Sequence, residues 1–570
     1  MKIQTLSIKN FRSIERLNIS LPNISAFVGP NNAGKTNILE AIRRVLMPEY
    51  GPRATDFSED DVYLRDPNRD IQIEVTFDSP IPYARLQRAD PVYITTLRFV
   101  YDRYKRGESR GQRRFEQQCL DADGHTLTIQ KSWGGGGKRP DFEPLLGIPQ
   151  DVRDQIPFIY VGTNRSLTAQ LPSARNSLLR RMFEDIDRDL RAPSQIIELK
   201  RRDGSTATVH RLERFHNLIT AAMDLLKTPE FEKLESAIKR HALDHLGLDA
   251  AVDDVDLYFT PLDTLDFYKS LDLMVREGDF TISATQMGGG MQNAIVLGIL
   301  RAFEETRRQG AIVLIEEPEM FLHPQMQRSL YATLRRLADD NQIIYTTHSP
   351  HFVSIPEYTN VLLVRRTKEN GTTVTQSALM NEEWRREKLR QALDAERSEL
   401  FFARRLLIVE GDTERLSLPE FARKLGLDID SAAATVVAVG GKRNLIDIAD
   451  LSISFGIPTG IIYDKDSGDF RNNTDEEAEY NKRLDGLAKA DGSVRVWRLD
   501  PDYEACARRA AGSSVYQLLT QRYPEEQFGK GKARRGRMIA ADKDMPVPSP
   551  IDEAIRWLTD EAACLWASPR

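Results

Sequence analysis

Residues 29–36 of the chain, Gly-Pro-Asn-Asn-Ala-Gly-Lys-Thr, decide the fold of its amino-terminal part. A short apolar run, ISAFVG, leads into them, and TNILEAIRRVLM, with apolar residues three and four positions apart, follows. This pattern predicts a buried strand, a phosphate-binding loop and a helix, which is the context of a Walker A motif. Glycines let backbone N–H groups face the phosphates, and the start of the helix adds positive potential. We therefore expect ATP to bind at Gly29, Asn31, Asn32, Gly34, Lys35 and Thr36. Lys35 should reach the β- and γ-phosphates, and Thr36 should hold Mg²⁺.

Two later segments would complete a nucleotide site. The apolar run AIVLIEEPE ends in Glu316 and Glu317, as in a Walker B motif. We expect Glu316 to bind the Mg²⁺ shell and Glu317 to polarise the attacking water. Glu316 stands where aspartate is more common, and this longer side chain predicts slow hydrolysis. A further apolar run, IIYTTHSP, ends at His348, which fits a sensor of the γ-phosphate, although a lone histidine can also be a satisfied structural residue.

A glycine cluster lies between these motifs. ATQMGGGMQNAIVLGIL opens an apolar helix with Gly288, Gly289 and Gly290, which allow close approach of a phosphate. This segment is similar to the ABC signature motif, but it lacks the usual serine. In ABC-type ATPases the signature caps ATP bound by a partner subunit. The resemblance therefore implies that Gly288 and Gly289 contact ATP across a dimer.

Length and composition limit the classes of protein. The 570 residues are too many for one core, so two or three domains are expected. The formal net charge of −6 excludes a globally basic protein. Any contact with nucleic acid must therefore be made by local positively charged patches. The start MKIQTLSIKN lacks an apolar signal core, and we expect no membrane span. The three cysteines show no metal spacing, which indicates reduced thiols in a cytoplasmic protein.

The carboxy-terminal part predicts a metal centre. Glu410 ends the apolar run LLIVEG and Glu414 follows one helical turn later, while Asp464 and Asp466 end the run GIIYDKD. Runs such as RLLIVEG, TVVAVGG, PTGIIYD and VRVWRL predict a parallel sheet, whose strand ends meet at one edge. Carboxylates gathered there suit Mg²⁺ or Mn²⁺, which prefer oxygen ligands.

Two segments leave alternatives open. Residues 173–245 predict helices; as an insertion they would form a dimer contact or simply pack on the ATPase core. The basic run RYKRGESRGQRRF fits a solvated hairpin as well as a DNA contact. The predicted boundaries are 1–170 and 251–380 for two ATPase parts, 171–250 for the helical insertion, 381–404 for a charged helical linker, and 405–570 for the metal-binding domain.

These motifs together resemble a known family. Their order, with SIKNFRSI and EEPEMFLHP, looks like the ABC-type branch that contains RecF, SMC proteins and OLD nucleases. Glu410 followed by the Asp464–Asp466 pair resembles a Toprim domain, and the chain is identified as a member of the OLD (overcoming lysogenization defect) family, similar to the nuclease subunit of Gabija systems. The implied fold is α/β: an ABC-type ATPase with a helical dimerisation insertion, then a Toprim domain with a Rossmann-like parallel sheet.

The resemblance also implies an activity. OLD proteins are metal-dependent nucleases, so it implies a dimeric DNA endonuclease or nickase regulated by ATP, in anti-phage defence or DNA processing and in some cases paired with a UvrD-like helicase. Asp502 and Glu504 would help to hold a second metal, and Lys532, or else Lys530, would stabilise charge on the scissile phosphate. The alternative is an ATP-switched DNA clamp, like RecF or SMC proteins, that does not cleave. A topoisomerase is disfavoured because no second DNA-gate domain is evident.

Overall fold

The structure is a computed structural model, and it describes most of the chain. The described residues are 1–47, 57–84, 91–104, 111–130, 142–145, 147–163, 167–174, 177–200, 205–246, 263–306, 310–320, 322–367, 369–379, 383, 387, 389, 395–466, 475–528 and 531–560. They fall into two compact units. The first combines Met1–Thr163 with Gln309–Arg570, and the second is Asn164–Arg308.

An eleven-stranded sheet forms the ATPase part of the first unit. Its strands, in order across the sheet, are Arg113–Leu120, Val92–Arg103, Ile71–Tyr83, Ile3–Phe11, Ile14–Ser20, Gly371–Thr375, Val361–Thr367, Ile24–Val28, Gln342–Thr347, Ile312–Glu316 and Phe158–Val161. The last five are parallel. Most of their residues are apolar, as expected for strands covered on both faces, and the polar residues of Val361–Thr367 lie at its end. The earlier strands are antiparallel and alternate between buried and half-exposed residues, as Ile71–Tyr83 does.

Helices cover this sheet. The helix Lys35–Leu46 buries Ile38, Leu39, Ile42 and Val45, residues spaced to lie on one face. The other helices described in this part are Gln150–Asp154 and Pro324–Asp340, and 3₁₀ turns lie at Glu59–Asp61, Tyr63–Arg65, Pro350–Phe352 and Ile355–Asn360. A small hairpin pairs Thr128–Gln130 with Phe142–Pro144. This core is assembled from both ATPase segments of the sequence.

The second unit contains the expected insertion. Its helices are Leu178–Leu190, Arg211–Leu226, Pro229–Leu246, Thr264–Lys269 and Gly289–Thr306, with 3₁₀ turns at Leu167–Gln170 and Ala284–Gln286. The helical prediction for residues 173–245 is wrong at one place, because Ile196–Lys200 and Thr206–His210 pair as an antiparallel hairpin. Alternating exposure along these two strands and their β-branched residues favour a hairpin over a helix. A second hairpin pairs Met274–Glu277 with Phe280–Ser283.

The carboxy-terminal part of the first unit is a four-stranded parallel sheet with helices around it. The strand order is Ala434–Ala438, Arg405–Val409, Thr459–Asp464 and Val494–Leu499, as the four apolar runs predicted. The helices are Asp412–Lys424, Lys442–Ser454, Asp475–Gly486, Tyr503–Ala511, Ser513–Arg522, Glu525–Phe528, Lys532–Ala541 and Ser549–Thr559. The predicted helical linker lies mostly outside the described residues, and its end, Ala395–Phe401, is a 3₁₀ helix.

The two sheets of the first unit are joined by direct contacts. Arg365, on a strand beside the phosphate-binding loop, donates a hydrogen bond to the carbonyl of Gly456. The hydroxyls of Ser377 and Ser454 lie 2.8 Å apart. Burial lowers the pKa of Arg365 to about 10. These contacts fix the far end of the helix Lys442–Ser454 against the ATPase sheet. Within the described part of the chain, no helix has the length and apolar character needed to cross a membrane.

Candidate functional sites

The phosphate-binding loop requires glycine at two positions. Gly34 has φ 103° and precedes the helix Lys35–Leu46, and a Cβ there would lie 2.2 Å from Thr372 Oγ1. At Gly29 a Cβ would lie 2.2 Å from the Val364 carbonyl oxygen. Thr372 Oγ1 in turn donates to the Ala33 carbonyl at 2.8 Å. The loop is therefore held tightly against the hairpin that carries Val364 and Thr372, and only glycine permits this approach.

Lys35 lies beneath the loop. Its ammonium donates to the carbonyls of Gly29 at 2.7 Å and Pro30 at 2.9 Å. Burial lowers the pKa of Lys35 to about 8, and the charges of Glu317 and Glu319 oppose that shift. A desolvated cation with glycine-rich backbone around it fits a phosphate group.

Glu317 and His348 face Lys35. His348 Nε2 lies 3.3 Å from Glu317 Oε1, and His348 Nδ1 lies 3.4 Å from Lys35 Nζ. Burial, with the Lys35 charge, lowers the pKa of His348, against the opposing effect of Glu317. His348 is therefore neutral at neutral pH. Glu317 has φ 43°, a strained conformation held by its N–H, which donates to the Thr346 carbonyl at 3.1 Å.

A cavity of about 580 Å³ brings seven predicted nucleotide residues together, with Asn37 beside them: Asn31, Asn32, Gly34, Lys35, Thr36, Glu317 and His348. Glu316 is buried beside Tyr160 and Thr163; burial raises its pKa, and hydrogen bonds from those two residues lower it. Gly288 and Gly289 belong to the second unit, where Gly289 begins the helix Gly289–Thr306.

Glu319 is a nucleotide-site residue that the sequence analysis missed. The His348 N–H donates to Glu319 Oε1, and burial raises the pKa of Glu319. The sequence did contain an indication of this residue, because Glu319 is the third glutamate of the Walker B segment EEPE. Asn37, which also lines the cavity, had no comparable signal.

The predicted metal ligands converge at the carboxyl edge of the second sheet. Glu410 follows the strand Arg405–Val409, and Asp464 ends the adjacent strand. The Asp464 N–H lies 3.4 Å from Glu410 Oε2 and donates to it. Glu414 Oε2 accepts from the Gly411 N–H at 3.1 Å, which turns Glu414 back toward the strand ends.

The electrostatics of this cluster fit a bound cation. Burial raises the pKa of Asp464 to about 8, and the charges of Glu414, Glu410, Asp466 and Asp502 add to the shift. Burial likewise raises the pKa of Glu414 to about 7 and raises that of Glu410. Asp464 Oδ1 is buried, and no donor among the described residues reaches it. Buried carboxylates whose charges act on one another in this way are stabilised by divalent metal.

Asp466 is held in a different way. It has φ 54°, and its N–H donates to the Pro501 carbonyl at 2.8 Å. Its Oδ2 lies 2.7 Å from Nζ of Lys442, a residue that the sequence analysis missed. The charge of Glu477, missed as well, contributes to the raised pKa of Glu410. In sequence Lys442 looks like a solvated charge after two glycines, and Glu477 belongs to an acidic run.

Asp502 and Glu504 lie close to the cluster. The charge of Asp502 raises the pKa of Asp464, and that of Glu504 raises the pKa of Glu414. Asp502 Oδ1 also accepts from the Ala505 N–H at 2.8 Å and so caps the helix Tyr503–Ala511.

The structure ties the two predicted lysines, Lys530 and Lys532, less closely to the acidic cluster. Lys532 is exposed at the first residue of the helix Lys532–Ala541. This helix packs on Asp412–Lys424, where a Cβ at Gly536 would lie 2.7 Å from Thr413 Cγ2. Lys530 lies outside the described residues. The choice between Lys530 and Lys532 stays a prediction.

The described ends of the basic run lie on or beside two paired strands. Its flanks are the strands Val92–Arg103 and Arg113–Leu120. Arg113 pairs with Glu59 at 2.9 Å, and Arg114 pairs with Asp102 at 2.6 Å. These pairings support the hairpin interpretation, while residues 105–110 lie outside the described part.

Comparisons with known proteins match a domain family to each of these two regions. A family described as "AAA ATPase domain" matches residues 1–129 and 162–353, and "Overcoming lysogenization defect protein-like, TOPRIM domain" matches residues 401–466. The chain is 32% identical to an OLD nuclease of Thermus scotoductus, over 90% of this chain and 94% of that protein. This chain belongs to the OLD nuclease family.

Other relatives of this OLD family member are more distant. It is 27% identical to the Old nuclease of Escherichia phage P2, over 82% of this chain and 77% of that protein. It is 24% identical to the endonuclease GajA of Bacillus cereus, over 80% of this chain and 75% of that protein. As a family member the chain is a nuclease with an ATPase domain and a Toprim domain. It uses ATP and divalent metal, and a clamp without cleavage is not favoured.

Metal affinity in this OLD family member is expected to rise with pH. The pKa values of Glu414 and Asp464 are raised to about 7 and about 8, so both carboxyls bind protons at lower pH. A metal ion must displace those protons, so affinity increases as the pH rises through this range and then levels off. Calorimetric titration with Mn²⁺ from about pH 6 to about pH 9 measures this, with proton release observed in buffers of different ionisation enthalpy. Equal affinity at both ends would contradict the protonated cluster.

Proposed function

We propose that the chain is a DNA endonuclease or nickase that hydrolyses phosphodiesters at its Toprim cluster under the control of the ATPase domain. The observation that carries the proposal is the convergence of Glu410, Glu414, Asp464 and Asp466 at one sheet edge, with Asp464 Oδ1 buried and facing no donor among the described residues. Buried oxygen atoms in this number are a liability for a fold unless a cation neutralises them.

The residues of the cluster have separate tasks. Glu410, Asp464 and Asp466 would hold one Mg²⁺ or Mn²⁺ ion, and Glu414, with Asp502 and Glu504, would help to hold a second. Two such ions, when bound, would supply an activated water and stabilise the leaving oxygen. Lys532, or else Lys530, would stabilise charge on the scissile phosphate. The exposed Lys532 and Arg534 on one helix support contact with the DNA backbone.

The nucleotide site would regulate this centre. Lys35 binds the β- and γ-phosphates, Glu317 orients the attacking water, and neutral His348 accepts or donates a hydrogen bond at the γ-phosphate. Gly288 and Gly289 would contact ATP bound by another subunit. The Arg365–Gly456 and Ser377–Ser454 contacts support transmission of changes at the loop to the Toprim domain.

Plasmid cleavage tests the proposed activity. Supercoiled plasmid is incubated with the protein and Mg²⁺ or Mn²⁺, with and without ATP, and nicked and linear products are separated by gel electrophoresis. Products that require metal are expected. A protein that retards DNA in a gel but never cuts it, with either metal and in either nucleotide condition, would contradict the proposal and favour the clamp.

A homodimer is proposed from the surface of the insertion. The helix Arg211–Leu226 buries none of its described residues, although Leu218, Leu225 and Leu226 are 52%, 82% and 60% exposed. Leu234 and Ile238 on the following helix are exposed as well. Large apolar side chains exposed on consecutive helices are typical of a protein interface. A second copy of the chain is the occupant, because a two-fold dimer also gives the signature glycines a partner ATP.

Nucleotide-free protein is expected to have twice the chain mass of 64.8 kDa in light scattering at micromolar concentration. The double variant Leu225→Glu, Leu226→Glu should be monomeric, because two charges would be buried at the interface. Asp224→Asn, on the same helix, serves as the control and should remain dimeric. A monomeric parental protein would eliminate the constitutive dimer and this role of the insertion.

Further partners follow from family membership only. The resemblance predicts a UvrD-like helicase as a partner and a role in anti-phage defence. A cytoplasmic location is supported by Cys119 and Cys506, which are buried free thiols.

A further inference from the structure

A buried lysine lies inside the acidic cluster of the Toprim domain. Lys442 is 8% exposed, and its Nζ lies 2.7 Å from Asp466 Oδ2, a carboxylate whose side chain is itself only 10% exposed. The positive charge of Lys442 also acts on Glu410, where it opposes the effect of burial. Buried lysines are rare unless they are paired, so this position calls for a specific partner or task.

Backbone geometry fixes the lysine at this point. Gly440 and Gly441, with φ 77° and 131°, form the turn before the helix Lys442–Ser454. The N–H groups of both glycines donate to the Glu410 carbonyl, at 3.0 and 3.1 Å. The start of the helix is therefore tied to the same strand end that presents Glu410, and Lys442 cannot leave the cluster without moving this turn.

The positive charge of Lys442 partly neutralises the carboxylates of the cluster. The carboxylates assigned to the two ions carry up to six negative charges when ionised: Glu410, Glu414, Asp464, Asp466, Asp502 and Glu504. Lys442 carries one positive charge beside them. Two divalent ions would bring four positive charges. An ion that approaches Asp466 Oδ2 from the side of the ammonium must replace it, because an oxygen 2.7 Å from a lysine nitrogen has no room for a metal on that side.

We propose that Lys442 is a built-in counter-cation that holds Asp466 while the site is free of metal and competes with the incoming divalent ion for that carboxylate. This inference rests on the proposed metal site and assigns Lys442 as a positioning residue. A metal ion bound at that oxygen would displace the ammonium from Asp466. The lysine thereby sets the metal affinity of the site.

Lys442→Met tests the competition, since methionine keeps the length and removes the charge. In nucleotide-free protein, calorimetric titration with Mn²⁺ should show at least about tenfold tighter binding, because the competing charge only a few ångströms away is gone. The metal-free melting temperature should fall, and the rise on adding Mn²⁺ should exceed that of the parental protein. Lys442→Arg keeps the charge and should bind Mn²⁺ within about threefold of the parental affinity.

Unchanged or weaker Mn²⁺ binding by Lys442→Met would overturn the proposal. If the methionine variant does not fold, Lys442→Gln is titrated in its place. Tighter Mn²⁺ binding by that variant would support the proposal, and unchanged or weaker binding would overturn it. Asp464→Ala is titrated in parallel. If it binds Mn²⁺ as the parental protein does, the metal site itself is wrong. If it loses binding while Lys442→Met is unchanged, only the role of the lysine fails.

Discussion

Replacing Asp464 with alanine should abolish cleavage of plasmid DNA, with a loss of more than about 100-fold. Asp464 lies at the centre of the acidic cluster, where its buried Oδ1 faces no donor among the described residues. The side chain sits at a strand end, so its removal takes away a metal ligand and little core packing. ATP binding and the metal-free melting temperature should therefore be preserved. The measurement is the initial rate of nicking with Mg²⁺ or Mn²⁺.

Asp412→Ala is the matched control. Asp412 lies between Glu410 and Glu414 in sequence, but its side chain is 65% exposed and pairs with Arg415. Its removal should leave the nicking rate near the parental value. Parental nicking by Asp464→Ala would reject the assignment of this cluster as the nuclease centre.

The second large effect concerns ATP. Glu317→Gln should bind ATP but hydrolyse it about 10²- to 10⁴-fold more slowly, which is the usual contribution of a group that takes up a proton. Glu317 is suited to this task because its carboxylate lies in the nucleotide cavity, 3.3 Å from neutral His348. Phosphate release under saturating ATP measures the rate, and a fluorescent ATP analogue measures binding.

Lys35→Ala separates binding from hydrolysis in the same assays. It removes the cation beneath the loop, so ATP binding itself should be lost. A Glu317→Gln protein with parental turnover would show that the Walker B assignment is wrong.

Local patterns were sufficient to predict that the carboxylates at the strand ends lie together, and that Lys35, Glu317 and His348 share a cavity. A strand followed by GPNNAGKT and a helix has few alternative structures, and carboxylates at the ends of parallel strands must meet because those ends share an edge. Lys442 could not be predicted in this way. Its burial depends on the turn at Gly440 and Gly441 docking on the Glu410 carbonyl, a tertiary contact without a sequence signature.

The insertion shows a second limit. Two short strands, Ile196–Lys200 and Thr206–His210, lie between helices. Over so few residues, the spacing of apolar side chains fits the helical repeat of three to four residues as well as the alternation of a strand. The pairing of the two strands decides the structure, and the spacing of residues along the chain does not show that pairing. In the proposed dimer, the place of Gly288 and Gly289 relative to ATP depends on another subunit, which patterns within one chain do not describe.

The strand order of the large sheet has a consequence for synthesis of the protein. Ile24–Val28, which leads into the phosphate-binding loop, pairs only with Gln342–Thr347 and Val361–Thr367 among the described strands. On the ribosome this apolar strand leaves the exit tunnel with both edges free, and its neighbours follow more than 300 residues later, roughly 15 to 60 s at ordinary elongation rates. Free apolar edges are templates for aggregation. The nascent chain therefore needs protection over that interval, and a prematurely terminated chain can neither close its sheet nor form a nucleotide pocket.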